Sequence, residues 1–323
     1  MDEFSFINSI KQQTYKQSSV IKGVGDDAAV FRNTSQDTVT AVDTFVEEVH
    51  FSRGTMDPFH IGYRSLAANI SDLAAMGSTP AFYLVSVVIP NNWSDEELIQ
   101  LYKGMRHLAS VHEMDLIGGD TVSGKEMSIS ITVIGFVNKG KARYRSSAKP
   151  DDILFVTGTL GDSQAGFYIL NNPGSFREKE YYYAKHRMPE PRVAFAKELE
   201  SLSRVALNDI SDGIANEVNE ISEASKVSIT IYEEKLPISN SYNQFPPELQ
   251  REWMLFGGED FELVGTVSRA EWEYLKAIAE KTHTPLKEVG YVDFSKSNEH
   301  NVFGVNHYNK KKLLEKKGYT HME

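Results

Sequence analysis

The sequence predicts an α/β protein built from two domains, and three observations carry that prediction. The chain has 323 residues, of which 41% are hydrophobic and 24% charged; the composition is that of a globular protein, and the length suits two domains better than one. Short apolar segments of strand length alternate with longer segments of helical character. A proline–acid turn, Ala148–Asp152, separates two such regions. We therefore expect domains at residues 1–148 and 149–323.

Four strands and two helices are predicted in the first half. Pro58 stands in the first turn of one helix, and Gly77 and Pro80 end it. Ser94 caps the second helix, whose first turn is acidic, as the helix dipole favours. The strands are rich in β-branched and apolar residues. The predicted strands are Ala28–Phe31, Thr38–Val42, Phe82–Ile89 and Ser128–Val137, and the first helix covers Pro58–Met76.

The second half shows the same alternation of strands and helices. Its polar, tyrosine-rich segment Asn171–Pro191 predicts an excursion with a short helix. The predicted strands are Ile153–Thr157, Val205–Leu207, Val227–Ile231 and Phe261–Thr266, and the predicted helices are Ser163–Leu170, Arg192–Ser201 and Gly213–Ala224.

Composition excludes several classes of protein. With 34 basic and 45 acidic side chains the formal net charge is −11, which argues against nucleic acid as a partner. The chain has no cysteine, so disulfides, thiolate metal sites and a cysteine nucleophile are excluded, and a reducing cytoplasm is favoured. No apolar run approaches the length that spans a bilayer, and the N-terminal segment does not resemble a signal peptide. We expect a cytoplasmic protein without membrane contact.

Aspartates recur at the ends of apolar runs, mostly beside glycine. Such oxygen ligands, supplied by separate segments, are what Mg²⁺ prefers when substrate phosphates complete its shell. The alternative is that Asp and Gly only mark turns. That alternative fails for Asp72, which lies inside a predicted helix on a polar stripe with Ser65 and Asn69. The segments are Gly25–Asp27, Val42–Thr44, Ser71–Leu73, Gly118–Thr121, Asp209–Gly213 and Gly257–Asp260.

Two nucleotide-binding motifs match in sequence, but their predicted structural context does not fit. Gly23–Ala28 fits the dinucleotide fingerprint, but a strand follows it where a helix is required. Gly119–Lys125 fits the phosphate-binding loop, but Glu126 stands where Ser or Thr would bind magnesium, and a strand follows again. Neither a Rossmann site nor a Walker site is therefore predicted.

Several blocks, in order along most of the chain, resemble the bacterial thiamine-monophosphate kinases. Blocks such as Gly118–Thr121 recur across the wider superfamily of aminoimidazole-ribonucleotide synthetases. The long block Asn69–Gly77, together with Gly257–Leu263 and the tail Lys317–Tyr319, is more specific to the kinases. The remaining blocks are Gly25–Ala29, Val42–Thr44, Val156–Ser163 and Asp209–Gly213.

The resemblance implies an aminoimidazole-ribonucleotide-synthetase-like fold, with an N-terminal ATP- and Mg²⁺-binding domain whose mixed sheet forms a homodimer and a C-terminal α/β domain closing over nucleotide and substrate. It implies direct in-line transfer of the ATP γ-phosphoryl group to thiamine monophosphate. The implied Mg²⁺ ligands are Asp27, Asp43, Asp72, Asp120, Asp209 and Asp212. The implied ATP contacts are Tyr102, Gly119, Asp120, Arg145 and Ser211, and the implied substrate contacts are His50, Glu259 and Tyr319. Family members often have a hydroxyl residue where this chain has Ala41 and Val42, so any metal contact there would use a backbone carbonyl.

The catalytic set is predicted as Asp43, Asp120 and Arg145, the two aspartates at strand termini, where α/β sites open. Phosphoryl transfer needs positioning and charge neutralisation rather than a strong base, which suits a site rich in aspartate. Arg145 could instead be a solvated surface residue, and Tyr102 a core residue of its helix. Two other functions stay open: another ATP-dependent enzyme of the superfamily, or a catalytically silent nucleotide or metal sensor.

Overall fold

The computed structural model describes residues 12, 14–22, 30–31, 35–294 and 300–317. The chain divides into two compact units, Met1–Leu73 with Ser78–Ala142 and Ala74–Gly77 with Arg143–Glu323. Both units combine helices with a β-sheet, so the predicted α/β class is confirmed.

The elements of the first unit alternate between strands and helices. In chain order they are β1 (Val20–Lys22), β2 (Val30–Phe31), β3 (Gln36–Val46), α1 (Pro58–Ala75), β4 (Thr79–Pro90), α2 (Asp95–Val111), β5 (Asp115–Gly124) and β6 (Ser128–Asn138).

A four-stranded mixed sheet organises this unit, in the order β3-β6-β4-β5. Strand β6 is antiparallel to both neighbours, and β4 and β5 are parallel. One face carries buried apolar side chains such as Phe45, Ile131 and Val85. The other face is more open and contains Thr44, Ser86 and Ser130. This alternation is the period-two pattern of a sheet covered on one side.

Helices α1 and α2 approach each other at two glycines. A Cβ on Gly62 would overlap the carbonyl oxygen of Leu101, and a Cβ on Gly104 would overlap that of Phe59. The helix ends match their sequence signals. Ser94 forms a complete capping box with Glu97 at the start of α2.

The second unit is built around a seven-stranded sheet, in the order β13-β12-β9-β11-β7-β10-β8. All neighbouring strands are antiparallel except β9 and β12. Its elements are β7 (Ile153–Thr157), α3 (Asp162–Asn171), α4 (Lys179–Arg187), α5 (Val193–Glu198), β8 (Val205–Asp209), α6 (Ile214–Ser225), β9 (Ser228–Tyr232), α7 (Pro247–Phe256), β10 (Leu263–Val267), α8 (Trp272–Lys281), β11 (Leu286–Asp293), β12 (Val302–Val305) and β13 (Lys311–Leu313).

The main core of the second unit lies between α6 and the sheet. Ile214, Val218 and Ile221 of the helix are buried in one cluster with Ile229 and Ile231 of β9. Each apolar side chain of this size contributes about 1.5–3 kcal/mol when fully buried. The packing fixes the start of α6, and therefore the loop that precedes it.

The predicted elements of both halves are found, with corrections at their ends. The strand predicted at Thr38–Val42 extends over Gln36–Val46. The strand predicted from Phe261 begins at Leu263, because Phe261 has φ 51°. The predicted strand Ala28–Phe31 lies partly outside the described residues, which include only Val30–Phe31. Among the described residues no helix is long and apolar enough to cross a membrane. Elements not predicted include β5, α7, α8 and β11 to β13.

Gly104→Ala tests the close approach of α1 and α2. We expect the free energy of unfolding to fall by about 1–3 kcal/mol, because the new methyl group meets backbone of α1 that cannot move aside. The higher helix propensity of alanine offsets up to about 1 kcal/mol of this loss. Urea denaturation measures the change.

Gly54→Ala is the matched control, since its added Cβ would make only an ordinary contact with Ser52. A Gly104→Ala protein as stable as the wild type would contradict the tight crossing.

Candidate active site

Asp43 lies in the middle of β3, on the face of the sheet that contacts α1. Its backbone N–H donates to Oδ1 of Asn69 at 3.0 Å, and Asn69 donates in turn to the carbonyl oxygen of Ser65 at 2.9 Å. The polar stripe predicted on this helix thus reaches the sheet beside Asp43. Burial raises the pKa of the Asp43 carboxyl above its ordinary value, and a nearby cation would oppose that rise.

Asp120 lies within β5, on the open face of the same sheet. The strand register aligns it with Ser86, Ser130 and Thr44 in one row. Asp43 occupies the next row, where side chains point to the opposite face. The prediction that both aspartates end their strands is wrong, because β3 and β5 continue beyond them.

The two aspartates belong to opposite edge strands of the four-stranded sheet. Three strand spacings separate them, which corresponds to about 14 Å between their backbones. Within one copy of the chain, the sheet therefore does not bring Asp43 and Asp120 together.

His50 lies in the loop that follows β3. Its Nδ1 accepts the backbone N–H of Val46 at 3.1 Å, and its ring packs against Phe45. The same loop is held by Glu47, which accepts from Trp93 Nε1 at 3.1 Å and pairs with Arg53 at 3.2 Å. The position of His50 is therefore set by several contacts of its loop.

Tyr102, Gly119 and Asp72 are further predicted site residues of the first unit, and they differ in exposure: Gly119 is exposed. Tyr102 is buried in α2, and burial raises the pKa of its hydroxyl; this is the core position that the alternative interpretation expected. Gly119 lies in β5, where a Cβ would overlap the carbonyl oxygen of Val85. Asp72 is half-buried near the end of α1. Their roles toward nucleotide and metal remain predictions.

In the second unit the end of β8 and the loop that follows it contain three of the predicted site residues. Asp209 is buried at the end of β8, opposite Leu263 of β10. Ser211 and Asp212 follow, and Gly213 has φ 98° at the start of α6. A residue with a side chain would be strained there, and its Cβ would also press on the backbone of Phe256.

The carboxylate of Glu217, in the first turn of α6, holds this loop. It accepts the backbone N–H of Asp212 at 3.1 Å and the hydroxyl of Ser211 at 3.4 Å. Burial, then the charges of Asp209 and Asp212, raise the pKa of Glu217 to about 8. The second unit therefore concentrates negative charge at this loop, and a cation would be stabilised there.

Arg145 lies in a short 3₁₀ turn, Arg145–Ser147. Its Nε donates to Oδ1 of Asn208 at 2.9 Å, and its Nη1 lies 3.6 Å from Glu220. The side chain is 49% exposed. Arg145 is thus anchored at one edge of its guanidinium and accessible at another, and its role toward nucleotide remains a prediction.

Glu259 lies in a loop that packs on the segment before Gly213. Its backbone has φ 68°, and its N–H donates to the carbonyl oxygen of Ser211 at 2.7 Å. Phe261 donates to the carbonyl oxygen of Ile210 at 3.0 Å. The second unit thus brings Ser211, Asp212 and Glu259 into one pair of adjoining loops.

Asp260 and Glu262 are further acids of this loop that were given no role from the sequence. Asp260 accepts the N–H groups of Gly161 at 2.7 Å and Ser163 at 3.1 Å, at the start of α3. Burial, outweighing these donors and reinforced by the charges of Asp162 and Glu262, raises the pKa of Asp260 to about 8. The only sequence signal for these two acids is that the blocks Val156–Ser163 and Gly257–Leu263 both belong to the family resemblance. In the structure, the hydrogen bonds that Asp260 accepts connect the two blocks.

The described aspartates fit Mg²⁺ as oxygen donors, but they do not form a complete protein cage. Among residues 12, 14–22, 30–31, 35–294 and 300–317, no three His, Asp or Glu side chains are grouped so as to hold a metal ion. Mg²⁺ is commonly bound by one or two carboxylates, with water and phosphate oxygens completing its shell. The oxygen-donor chemistry of Asp209 and Asp212 is consistent with that mode. Asp27 and Tyr319 lie outside the described residues.

Family comparisons cover both halves of the chain. Residues 25–137 match the family described as AIR synthase related protein, N-terminal domain, and residues 149–302 match its C-terminal domain. The thiamine-monophosphate kinase of Bacillus subtilis (strain 168) is 47% identical over 329 aligned residues, covering 100% of both chains. The chain belongs to the thiamine-monophosphate kinase family. The family member of Buchnera aphidicola subsp. Acyrthosiphon pisum is 32% identical over 99% of both chains.

Solved structures of this family share the fold. The thiamine-monophosphate kinase of Stenotrophomonas maltophilia K279a superposes with a TM-score of 0.83 at 31% identity, covering 93% of this chain and 98% of that one. AaThiL complexed with AMPPCP and TMP gives a TM-score of 0.78 at 28% identity, covering 99% and 97%. The hydrogenase maturation protein HypE, at 15% identity and a TM-score of 0.78 over 100% and 98%, shares the fold alone. The predicted family and fold are confirmed.

The raised pKa of Asp260 predicts that the stability of the protein depends on pH. Its folded-state pKa is about 8 against an ordinary value of 3.8, so the folded protein holds this proton more tightly than the unfolded chain. The resulting stabilisation is complete below the ordinary pKa and is lost as pH rises through the folded-state pKa. We expect the free energy of unfolding of the wild type, relative to Asp260→Asn, to fall between pH 5 and pH 8 in urea titrations.

Asp151→Asn, at an exposed turn residue with φ 71°, controls for the loss of one carboxylate. A difference between wild type and Asp260→Asn that stays constant or grows with pH would show that the Asp260 carboxyl is ionised throughout.

Proposed function

We propose that the chain transfers the γ-phosphoryl group of ATP to thiamine monophosphate, giving thiamine diphosphate and ADP. The observation that carries the proposal is the 47% identity, over the full length of both chains, with the thiamine-monophosphate kinase of Bacillus subtilis. The complex of AaThiL with AMPPCP and TMP supports the same pair of ligands. The acceptor is itself a phosphate, so a strong general base is not required and direct in-line transfer is sufficient.

Mg²⁺ is proposed as the metal, held by aspartates. When bound, it would neutralise and orient phosphate oxygens. The aspartates supply oxygen donors only. Asp43, Asp120 and Asp209 lie in strands and Asp72 in a helix, and Asp212 lies in the loop that Glu217 holds. The proposed ligands are Asp27, Asp43, Asp72, Asp120, Asp209 and Asp212.

The remaining site residues are proposed to bind and orient the two substrates. Arg145 presents a guanidinium that is always charged and suited to phosphate oxygens. Glu259 would face the positively charged thiamine ring, and an aromatic side chain at Tyr319 would cover it, as cation–π geometry permits. The proposed nucleotide contacts are Tyr102, Gly119, Asp120, Arg145 and Ser211, and the proposed substrate contacts are His50, Glu259 and Tyr319.

A homodimer through the four-stranded sheet is proposed as well. The open face of this sheet exposes Val42 and Val122, at 62% and 44%, beside a row of small polar side chains. A second copy would cover this surface. Residues 1–148 would then bind ATP and Mg²⁺ and dimerise, and residues 149–323 would close over the ligands. The cytoplasmic location stays a prediction.

Thiamine monophosphate should be strongly preferred over thiamine as the acceptor. The charged phosphate can be oriented by metal and arginine, whereas the hydroxyl of thiamine is neutral and leaves those groups unmatched. Discrimination of roughly 10²–10⁵ in kcat/KM is expected for a site built around a polar group. Formation of thiamine diphosphate from ATP, Mg²⁺ and either acceptor measures the ratio. Equal kcat/KM values for the two acceptors would assign a different specificity.

Asp43→Asn and Asp120→Asn should each lower kcat on the order of 10²-fold or more at saturating Mg²⁺, because each removes one charge from the proposed metal ligands. Circular dichroism should show an unchanged fold. Asp37→Asn is the matched control in β3: its Oδ2 accepts the backbone N–H of Gly140, in the turn after β6, at 2.8 Å. Wild-type kcat in both site variants would overturn the ligand assignment.

A further inference from the structure

Asn208 and Glu217 are two buried polar residues without a role in the predicted site. Asn208 belongs to β8 and is 2% exposed, and Glu217 belongs to the first turn of α6 and is 4% exposed. A glutamate in the first turn of a helix usually reaches into solvent, where it complements the helix dipole at little cost. A buried carboxylate must instead be matched by hydrogen-bond donors.

The donors that match Glu217 all come from the segment 208–212. One carboxylate oxygen accepts from Nδ2 of Asn208. The other accepts the backbone N–H of Asp212 at 3.1 Å and the hydroxyl of Ser211 at 3.4 Å. One side chain therefore ties the end of β8 to the loop that carries two predicted nucleotide and metal contacts.

Asn208 extends this connection to Arg145. Its Oδ1 accepts Nε of Arg145 at 2.9 Å while its Nδ2 donates to Glu217. If the Asn208 amide were flipped, its NH₂ group would face the N–H of Arg145 and its oxygen would face the Glu217 carboxylate. Neither pair forms a hydrogen bond, so Glu217 determines the orientation of the amide. The amide in turn holds the Nε edge of the guanidinium. The terminal nitrogens remain on a side chain that is 49% exposed.

We propose that Glu217 and Asn208 are positioning residues for nucleotide binding, which hold the Arg145 guanidinium and the Ser211–Asp212 loop in one fixed arrangement. Three residues assigned to the site from different parts of the sequence depend on this one buried pair. The inference rests on the proposed function only in naming ATP as the ligand. If the pair served only to stabilise the fold, substitution of either residue would lower stability but leave the affinity for nucleotide unchanged.

Asn208→Ala and Glu217→Gln test the proposal. Both should weaken binding of AMPPCP with Mg²⁺ by about 10- to 100-fold in calorimetry, because misplaced binding groups cost up to that factor. In turnover, KM for ATP should rise more than KM for thiamine monophosphate. Glu217→Gln keeps the volume of the side chain, so it provides the result if Asn208→Ala does not fold.

Asn219→Ala is the matched control. Asn219 is a buried amide of the same helix that donates to the carbonyl oxygens of Ala215 and Leu314, away from the predicted site. It should lower the melting temperature and leave the affinity for AMPPCP unchanged. If Asn208→Ala and Glu217→Gln behave in the same way as this control, the pair is structural and the proposal is wrong.

A double-mutant cycle with Arg145→Ala decides whether Asn208 acts through the arginine. If it does, Asn208→Ala should weaken AMPPCP binding by less than 3-fold in the Arg145→Ala protein. If the two substitutions weaken AMPPCP binding by factors that multiply, Asn208 acts independently of Arg145 and the proposed connection is wrong. Calorimetry needs no acceptor, so a failure to phosphorylate thiamine monophosphate would refute the proposed function without affecting this result.

Discussion

The loops of the second unit depend on the buried ion pair between Glu262 and Arg192. Glu262 is 2% exposed, and its oxygens bind Nε and Nη2 of Arg192 at 2.7 and 2.6 Å and the hydroxyl of Thr157 at 2.8 Å. Burial alone would raise the pKa of this carboxyl, but the bonds and charge of Arg192 hold it below its ordinary value. A carboxylate buried without such a partner would cost several kcal/mol. The segment around Glu262 is therefore stable only where Arg192 reaches it, and its carbonyl oxygen also receives the N–H of Ile210 at 2.8 Å.

That constraint explains why two separate sequence blocks act as one structure. A Cβ on Gly158, which has φ 60°, would overlap the carboxylate of Glu262, so only glycine leaves room for it. Asp260 adds two bonds to the start of α3. Directly before these anchors the backbone of Glu259 takes a left-handed conformation at φ 68°, which costs free energy that the surrounding contacts offset. A predicted substrate contact is thus held by neighbours that need not touch the substrate.

Local signals predicted the elements that carry them, and non-local contacts limited the prediction of the site. The helix from Pro58 and the helix capped by Ser94 carry their signals within one turn, and the structure places both as expected. Asp43 and Asp120 were expected at strand termini because each ends an apolar run. In the structure both strands continue beyond these aspartates, because the pairing of β3 with β6 extends to Val46 and the pairing of β5 with β4 extends to Gly124. The contact of Arg145 with Asn208 spans 63 positions, and no local pattern reports such a pair.

Amide side chains, rather than further charges, hold the predicted charged residues in place. Asn69 accepts the backbone N–H of Asp43 in the first unit, and Asn208 accepts Nε of Arg145 in the second. A carboxylate at either position would add negative charge to a region already rich in aspartate, and a cation would compete with Mg²⁺ for the same acids. An amide donates and accepts without net charge, so it can be buried once both of its ends are bonded. The charges of Asp43 and Arg145 then remain available to interact with ligands. For this reason asparagines beside an acidic block are as informative about a phosphoryl-transfer site as the acids themselves.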